Sequence, residues 1–415
     1  MLKYNVISAN FDCNFNILKY PYEIYFKVTC ACNYNCEFCS QNGGANFEMN
    51  FEDAKKWLKE FRERGAIKIY YTGGEPLMYS NLYKLLQYGK ELKLKQIIIT
   101  NGYLLKKNSV LDYIDGLGIS LHGTATTHDN LVGVKNAHNQ VVANLKWVKE
   151  NYPQIGISLN YTVSELNFDY KNMKSVADIS KQYNTELHIA RINYIGRGEP
   201  KKIQDVNKLC EFVDNLRSQN YKVKISNCII PCVVEKKYDY LTHGCGAGIT
   251  TCAVEANGDV KICASSSLVL GNLHNDTFDT IWNNILKWKQ DPKITLICQT
   301  CKKFLQCRGG CRSEINNDFR NQVCDALLIN KMQKIWSTLK DKKLKYKYNQ
   351  IIWQGEDIIL PNPYPRIINK NSLKVIKLLD GKLTGIEIQK QLKLDINEED
   401  IRELLITLFI DDCIL

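Results

Sequence analysis

Ten residues near the start of the chain, CACNYNCEFC at 30–39, hold four thiols, and Cys32, Cys36 and Cys39 stand in a C-x3-C-x2-C spacing. Thiols this close pair as disulfides, bind zinc or bind an iron–sulfur cluster. The chain as a whole speaks against the first. It has 17 cysteines in 415 residues, an odd number in a long chain, whereas secreted disulfide scaffolds are short and even-numbered. The opening MLKYNVISANFDCNF lacks the apolar run of a signal sequence, and no later apolar run approaches the length of a membrane span. A cytoplasmic, reducing setting without membrane contact is expected, where crowded cysteines bind metal or do redox chemistry. Zinc would want a fourth ligand, and Cys30 is near enough in sequence to supply it. An iron–sulfur cube would place Cys32, Cys36 and Cys39 on three irons and leave the fourth iron without a protein ligand. A metal with an open position can take a substrate or cofactor.

The next stretch able to do chemistry is TGGEP at 72–76. Gly73 and Gly74 allow a close backbone approach, Glu75 offers an acceptor for a cationic amine, and Pro76 follows. Alone, such a motif is commonly a turn. One strand after C-x3-C-x2-C, it would share a rim with the cysteines. A larger cysteine set lies downstream: Cys245-x12-Gly258-x4-Cys263, then Cys298-x2-Cys301-x5-Cys307-x3-Cys311, then Cys324, with Cys252 as an eighth. A zinc ribbon would account for CQTC and two others and leave the rest idle. Eight thiolates are what two fully ligated [4Fe–4S] clusters require. Cys13, Cys30, Cys210, Cys228, Cys232 and Cys413 remain. They are expected to be mostly buried small hydrophobes, with Cys30 a bystander. The alternative role for one of them is to give hydrogen to a substrate radical, and Cys228 and Cys232 flank the start of the cluster region.

These groups need a scaffold. YEIYFKV (22–28), IKIYYT (67–72), QIIIT (96–100), GLGISL (116–121), IGISLNYTV (155–163) and ELHIARI (186–192) read as strands. Between them lie helical stretches. The first has Asn50 as N-cap and Ala54, Trp57, Leu58 and Phe61 on one face; others run over 82–94, 139–150, 169–183 and 205–219. Such alternation predicts an α/β fold with a parallel sheet, open or curled into a full or partial barrel, and functional groups at the C-terminal strand ends. CACNYNCEFC, GGEP and TNG all occupy that position. From about 228 to 324 the periodic pattern thins as cysteine density rises, so something other than an apolar core must staple this segment.

KDKKLKYKYNQ (340–350) reads as an exposed linker open to proteolysis. The last part, 351–415, regains order. One helix places Leu373, Ile376 and Leu379 inward and stops at Gly381 in the C′ position; Thr384 and Glu387 form a capping box. Asn397 caps a helix bearing Ile401, Leu404, Leu405 and Leu408, and a short strand, CIL, closes the chain. Three small helices with edge strands make a winged-helix-like module. Its 8 Lys/Arg against 11 Asp/Glu leave it at −3 in a chain of net +11, so the preceding residues carry +14. Nucleic acid is not expected: the negative module lacks phosphate-binding charge, and no basic run elsewhere is interleaved with aromatics.

Cys32, Cys36 and Cys39 followed by GGEP resemble the signature of the radical S-adenosylmethionine (radical SAM) superfamily, over about residues 21–225. The resemblance implies a partial (β/α)6 TIM-like barrel, with a [4Fe–4S] cluster on Cys32, Cys36 and Cys39 as both metal-binding and catalytic residues. It implies S-adenosylmethionine chelated to the open iron. Reductive cleavage of its sulfonium then gives a 5′-deoxyadenosyl radical that takes hydrogen from the substrate. By the same resemblance Phe38 lies near the adenine. Gly73, Gly74, Glu75 and Pro76 form the methionyl-amine site, and Ser120, in SLHG at 120–123, marks the ribose-contacting strand end. Asn160 and Arg191 are further cofactor-site candidates. The family often has an arginine shortly after the histidine of this region; HDNLVG at 128–133 has none, so a carboxylate-binding arginine is unassigned.

The downstream cysteines resemble the SPASM extension of radical SAM enzymes. That implies two auxiliary [4Fe–4S] clusters, one on Cys245, Cys252, Cys263 and Cys311, the other on Cys298, Cys301, Cys307 and Cys324, and three clusters in all. The last segment resembles the PqqD-like elements that bind the leader of a precursor peptide, here C-terminal where related enzymes often carry it N-terminally. The implied layout is a lead segment (1–20), radical SAM core (21–228), SPASM domain (229–339), linker (340–350) and peptide-recognition domain (351–415). The implied function is oxidative modification of a ribosomally made peptide, with thioether formation first. Carbon–carbon or carbon–oxygen cross-linking, epimerisation, sulfatase maturation and cofactor biosynthesis are the enzyme alternatives. A flavodoxin or ferredoxin would supply electrons. A zinc-stapled winged-helix binding protein is the alternative outside enzymology.

Overall fold

The computed structural model describes residues 20–41, 46–107, 109–192, 196–198, 205–290, 307, 310–311, 326–347, 352–354, 357–360, 366–368, 370–410 and 413–414. The chain divides into two compact units, Ile17–Lys293 with Gln306–Val323, and Met1–Asn16 with Ile294–Leu305 and Cys324–Leu415.

In the first unit seven strands run parallel in sequence order: β1 (Glu23–Thr29), β2 (Lys68–Gly73), β3 (Lys95–Thr100), β4 (Gly116–Ser120), β5 (Gly156–Val163), β6 (Glu186–Arg191) and β7 (Val223–Ile225). The sheet extends beyond β1 through β8 (Thr251–Val254), parallel to it, and the antiparallel β9 (Asp259–Lys261) and β10 (Val269–Asn272). β7 and β10 are its two edges, so the barrel is partial. Helices α1 (Phe51–Glu63), α2 (Leu82–Glu91), α3 (Ala125–Val132), α4 (Ala137–Asn151), α5 (Tyr170–Gln182), α6 (Val206–Ser218) and α7 (Phe278–Gln290) complete the unit.

Alternation within the strands creates two faces. Along β1, Ile24, Phe26 and Val28 are fully buried, while Glu23, Tyr25 and Lys27 between them are only partly so. Phe26 meets the edges of Trp57 and Phe61 from α1, at 6.5 and 6.2 Å between ring centroids. Asn50 starts that helix, its side-chain oxygen accepting from the amides of Glu52 and Asp53. Each buried aromatic contributes roughly 2–3 kcal/mol, and Trp57→Ala would cost about 3–5 kcal/mol. The other face is polar: Tyr25 stacks on Tyr70 at 4.6 Å, and Lys27 pairs with Glu255 at 2.8 Å. Parallel register carries that face through Ser120, Asn160 and His188.

α3 was not expected. Its sequence ATTHDNLV is rich in weak helix formers. It forms because Leu131 and Val132 are buried and because Gly133, at φ +70°, ends it in the left-handed conformation.

The second unit holds α8 (Ala326–Leu339), α9 (Lys370–Lys377), α10 (Gly385–Leu392) and α11 (Glu398–Ile410). It also has an antiparallel pair, β11 (Lys343–Lys345) with β15 (Asp380–Thr384), and a meander of β12 (Ile352–Gln354), β13 (Asp357–Leu360) and β14 (Arg366–Ile368). α8 is built into this unit: the first residue of α10, Gly385, packs tightly on it, since a Cβ there would lie 3.1 Å from the Leu339 carbonyl and the Trp336 ring. The stretch expected as a linker contains β11. Leu344 is fully buried, and Tyr346 and Lys347 donate backbone hydrogen bonds to Leu379 and Cys413. Lysines on alternate positions conceal a strand whose other side is apolar. α9 ends at Lys377, and Gly381 (φ +87°) sits within β15 rather than at a helix C′ position. The pairing of Leu379 with Tyr346 commits the backbone to a strand. Thr384 and Glu387 form the capping box, the Asn397 side chain accepts from the Glu399 amide, and Ile414 bridges Tyr346.

Candidate active site

Three loops leave the C-terminal ends of β1, β2 and β3 and are bonded into one assembly. The Gly74 amide donates to the Thr29 carbonyl and the Glu75 amide to the Ala31 carbonyl, each at 2.8 Å. Both glycines are required by this approach. A Cβ on Gly73 (φ +146°) would lie 2.2 Å from the Thr29 oxygen, and one on Gly74 would lie 2.2 Å from the Ala31 oxygen. Glu75 is fully buried. Its carboxylate accepts from Thr100 Oγ1 (2.7 Å), the Asn101 amide (2.8 Å) and the Leu77 amide (3.1 Å). Burial pushes its pKa up to about 7 against the opposing pull of these three donors. Pro76 opens the short turn Pro76–Met78 that Glu75 caps. The Asn101 side chain then donates to the Asn33 side chain at 2.7 Å, returning to the cysteine loop. The glycine pair and Glu75 therefore first bind the loops to each other.

Cys32, Cys36 and Cys39 sit half-buried on the first loop. Tyr34 anchors it, packing with Val132 and Ala137 beside Cys32 and Cys36. The Asn35 and Glu37 amides donate to the Val132 and Leu131 carbonyls at the end of α3. On the other side the Arg197 amide donates to the Cys39 carbonyl at 2.9 Å and its guanidinium to the Asn35 side chain. Gly196 makes that approach possible, since a Cβ there would fall 2.5 Å from the Cys39 oxygen. The Arg197 charge favours ionisation of Cys32 and Cys36.

The remaining candidates lie at later strand ends. The half-buried Phe38 ring meets the buried His122 ring edge-on at 4.7 Å. His122 Nδ1 accepts from the Thr162 amide, and its own amide donates to His128 Nδ1. Burial holds His122 well below the usual imidazole range and lowers His128 to about 4, so both are neutral at pH 7. Ser120 and Asn160 are register partners across β4 and β5, and Gly118 leaves room for the Asn160 amide, which would lie 2.7 Å from a Cβ there. Arg191 is buried at the end of β6, its amide donating to the Asn227 side chain.

The described cysteines of the second set do not all lie together. The Cys228 thiol is hydrogen-bonded to the sulfurs of both Cys245 and Cys311. Cys263 is near enough to Tyr25 on the polar face to oppose its ionisation. Cys252, expected among the ligands of the first auxiliary cluster, stands apart. It is fully buried in β8, in register with Ile24, on the side facing the α1 layer, and burial alone raises its pKa. Cys307 is buried; Cys298, Cys301 and Cys324 lie outside the described residues, as does Cys13. Cys210 and Cys413 are buried and Cys30 half-buried.

Two family models match the sequence, the Radical SAM superfamily over residues 26–169 and an iron-sulfur cluster-binding domain, SPASM, over residues 245–312. Residues 26–169 are a radical SAM domain, and the chain is an S-adenosylmethionine-dependent enzyme. It is similar to the AdoMet-dependent heme synthase of Methanosarcina barkeri (strain Fusaro / DSM 804), at 24% identity over 71% of this chain and 91% of that one. It is also similar to the mycofactocin maturase MftC of Mycobacterium tuberculosis (strain ATCC 25618 / H37Rv), at 24% identity over 70% of this chain and 78% of that one. Its fold is similar to that of Streptococcus suis SuiB, solved bound to precursor peptide SuiA. There the TM-score is 0.63 at 21% identity, covering 75% of this chain and 76% of that one.

The donor set of this radical SAM enzyme fits an iron–sulfur cluster. Burial, reinforced by the neighbouring Cys32 and Cys39, pushes the Cys36 thiol up to about 12, and burial also raises Cys32. Thiols so placed ionise together only when a cation binds them. No group of three or more His, Cys, Asp or Glu side chains among the described residues converges on a single ion; the ligands of a cube sit on separate irons and need no such convergence. No helix among the described residues is long and apolar enough to cross a membrane.

Arg197, His122 and the Asn33–Asn101 pair escaped the sequence reading. Arg197 stands in a short non-periodic segment after β6, where only its neighbours in space mark it. His122 lies inside SLHG two residues after Ser120, and a histidine at a strand end beside an aromatic is itself a signal.

Proposed function

We propose that this radical SAM enzyme modifies a ribosomally made precursor peptide, most simply by joining a cysteine sulfur to carbon with net loss of two hydrogens. The observation that carries the chemistry is the hydrogen-bonded assembly of CACNYNC, GGEP and TNG on one rim of the partial barrel. When bound, a [4Fe–4S] cluster on Cys32, Cys36 and Cys39 with S-adenosylmethionine supplies a 5′-deoxyadenosyl radical that abstracts hydrogen. This chain's residues do the positioning. Arg197 puts a cation beside the cysteines to meet the methionyl carboxylate. The Gly73–Gly74 backbone, next to the buried Glu75, receives the amine. Phe38, held by His122, offers its free face to the adenine, and Ser120 and Asn160 offer polar groups to the ribose. Arg191 is too deeply buried to share that role without moving.

The substrate class rests on similarity to a protein named a maturase, on the fold shared with a structure holding a precursor peptide, and on the C-terminal unit. Among the described residues β12 and β14 have no second neighbour in their sheet. Unpaired strand edges accept a leader peptide as an added strand. A PqqD-like role for 351–415 is proposed on that basis, with two auxiliary clusters taking up the one electron left after hydrogen abstraction and a flavodoxin or ferredoxin supplying the electron that starts the reaction. The test uses short Cys- or aromatic-containing peptides encoded beside this coding sequence, incubated with reduced enzyme and S-adenosylmethionine. A product lighter by two hydrogens, with one cysteine no longer alkylated, supports the reading. An unchanged peptide mass with 5′-deoxyadenosine still formed contradicts it. The similarity to heme synthases favours a second reading, oxidation of a small molecule in cofactor biosynthesis. Consumption of a small molecule of that kind, with every peptide left unchanged, would support it.

A further inference from the structure

We infer that Cys228 holds the first auxiliary cluster together with Cys245, Cys263 and Cys311, in the place that the family pattern gives to Cys252. This rests on the reading of residues 245–312 as a cluster-binding domain.

Two observations place Cys228 in this set, and a third brings in the chain leading to Cys263. Its thiol is hydrogen-bonded to the sulfurs of Cys245 and Cys311, two of the expected ligands. The backbone independently sets it there. Ile229 and His243 form an antiparallel bridge, with the His243 amide donating to the Ile229 carbonyl at 3.2 Å. Antiparallel pairing then lays residue 228 beside 244 and 245. The Gly248 amide donates to the Ile262 carbonyl at 3.2 Å, which brings the turn after Cys245 alongside the chain entering Cys263.

Cys252 fails for a reason built into the strand. Its pairing with Ile24 fixes its side chain on the helix-facing side, and Ala253, paired with Tyr25, faces the polar side instead. Bringing Cys252 round would require a one-residue register slip that turns every side chain of β8 over. Val254, fully buried beside Phe26, would then leave the core. Four thiolates from Cys228, Cys245, Cys263 and Cys311 occupy every iron of one cube. Such a cluster has no vacant position for a substrate thiolate, which limits it to passing electrons.

The test uses full-length protein with Cys32, Cys36 and Cys39 all changed to Ala, reconstituted anaerobically so that only auxiliary clusters contribute. Iron, sulfide and the electron paramagnetic resonance spectrum are compared on adding Cys228→Ala, Cys228→Ser, Cys252→Ala or Cys252→Val. The expected result is that Cys228→Ala loses about four irons per chain or gives a three-iron signal on mild oxidation. Cys228→Ser should keep the iron with a shifted spectrum, since oxygen replaces one sulfur. Both Cys252 variants, checked for folding by circular dichroism, should keep the parent's iron and spectrum. Loss or shift with folded Cys252 variants, or no change with either Cys228 variant, would overturn the assignment. A parent protein without iron would instead overturn the cluster reading beneath it.

Discussion

At the scale of single residues, Glu75 departs most from its motif. A carboxylate after two glycines suggests a ligand for an amine, yet its oxygens are engaged by Thr100, Asn101 and Leu77. Two of these partners, Thr100 and Asn101, come from the end of the next strand, which spacing within GGEP does not reveal. The consequence is measurable. The folded-state pKa, about 7, lies above the ordinary 4.5, so the native state holds a proton between those values that the unfolded chain releases. The stabilisation is complete below about 4.5 and is lost as pH rises through 7, a change of roughly 3 kcal/mol. Glu75→Gln should therefore flatten the decline in unfolding free energy between pH 5 and 8, read by urea denaturation. A decline as steep as in the parent would assign it to another group. His128 acts with the opposite sign: lowered to about 4 from 6.5, it contributes stability present above 6.5 and lost as pH falls through 4. Arg197→Ala should weaken S-adenosylmethionine binding about tenfold or more, roughly 1.4 kcal/mol, as read by equilibrium dialysis. Arg197→Lys should recover part of it.

At the scale of elements, the strands and long helices of the barrel were legible because alternation and helical periodicity are local properties. α1 follows from Asn50 and the spacing of Ala54, Trp57, Leu58 and Phe61, all of them buried. What escaped was held by distant contacts. α3 exists because Leu131 and Val132 are buried beneath the Tyr34 loop, and β11 because Lys343–Lys345 meets Asp380–Thr384. Cys252 shows the same limit: spacing counts thiols, but only the register of β8 with β1 says which side it faces. The glycine pair gives the sharpest element-scale expectation. Gly74→Ala drives a methyl group into the Ala31 and Cys30 carbonyls, 2.2 and 2.7 Å away, and must push the β2 loop from the cysteine loop. Overpacking of this kind costs about 1–3 kcal/mol. The variant should melt lower and bind less iron at Cys32, Cys36 and Cys39, while Gly65→Ala, where nothing lies within 4 Å, should lose stability only through its positive φ and keep its iron.

At the scale of the whole molecule, two compact units divide the work: one carries the barrel and most of the described cysteines, the other the small helices and edge strands. If the second unit captures a leader, removing the leader from the substrate should raise KM at least tenfold and leave kcat within a few-fold. Equal kcat/KM for leader-bearing and leaderless substrate would leave that unit without its proposed role. Every functional reading, peptide or cofactor, depends on one event at one rim. The direct measurement is 5′-deoxyadenosine released when anaerobic, iron-loaded protein is reduced with dithionite in the presence of S-adenosylmethionine. The unmodified chain should release it, and Cys32→Ala, Cys36→Ala and Cys39→Ala should each abolish release while the auxiliary iron remains. Release that survives all three substitutions, or none from fully loaded unmodified protein, would contradict the account.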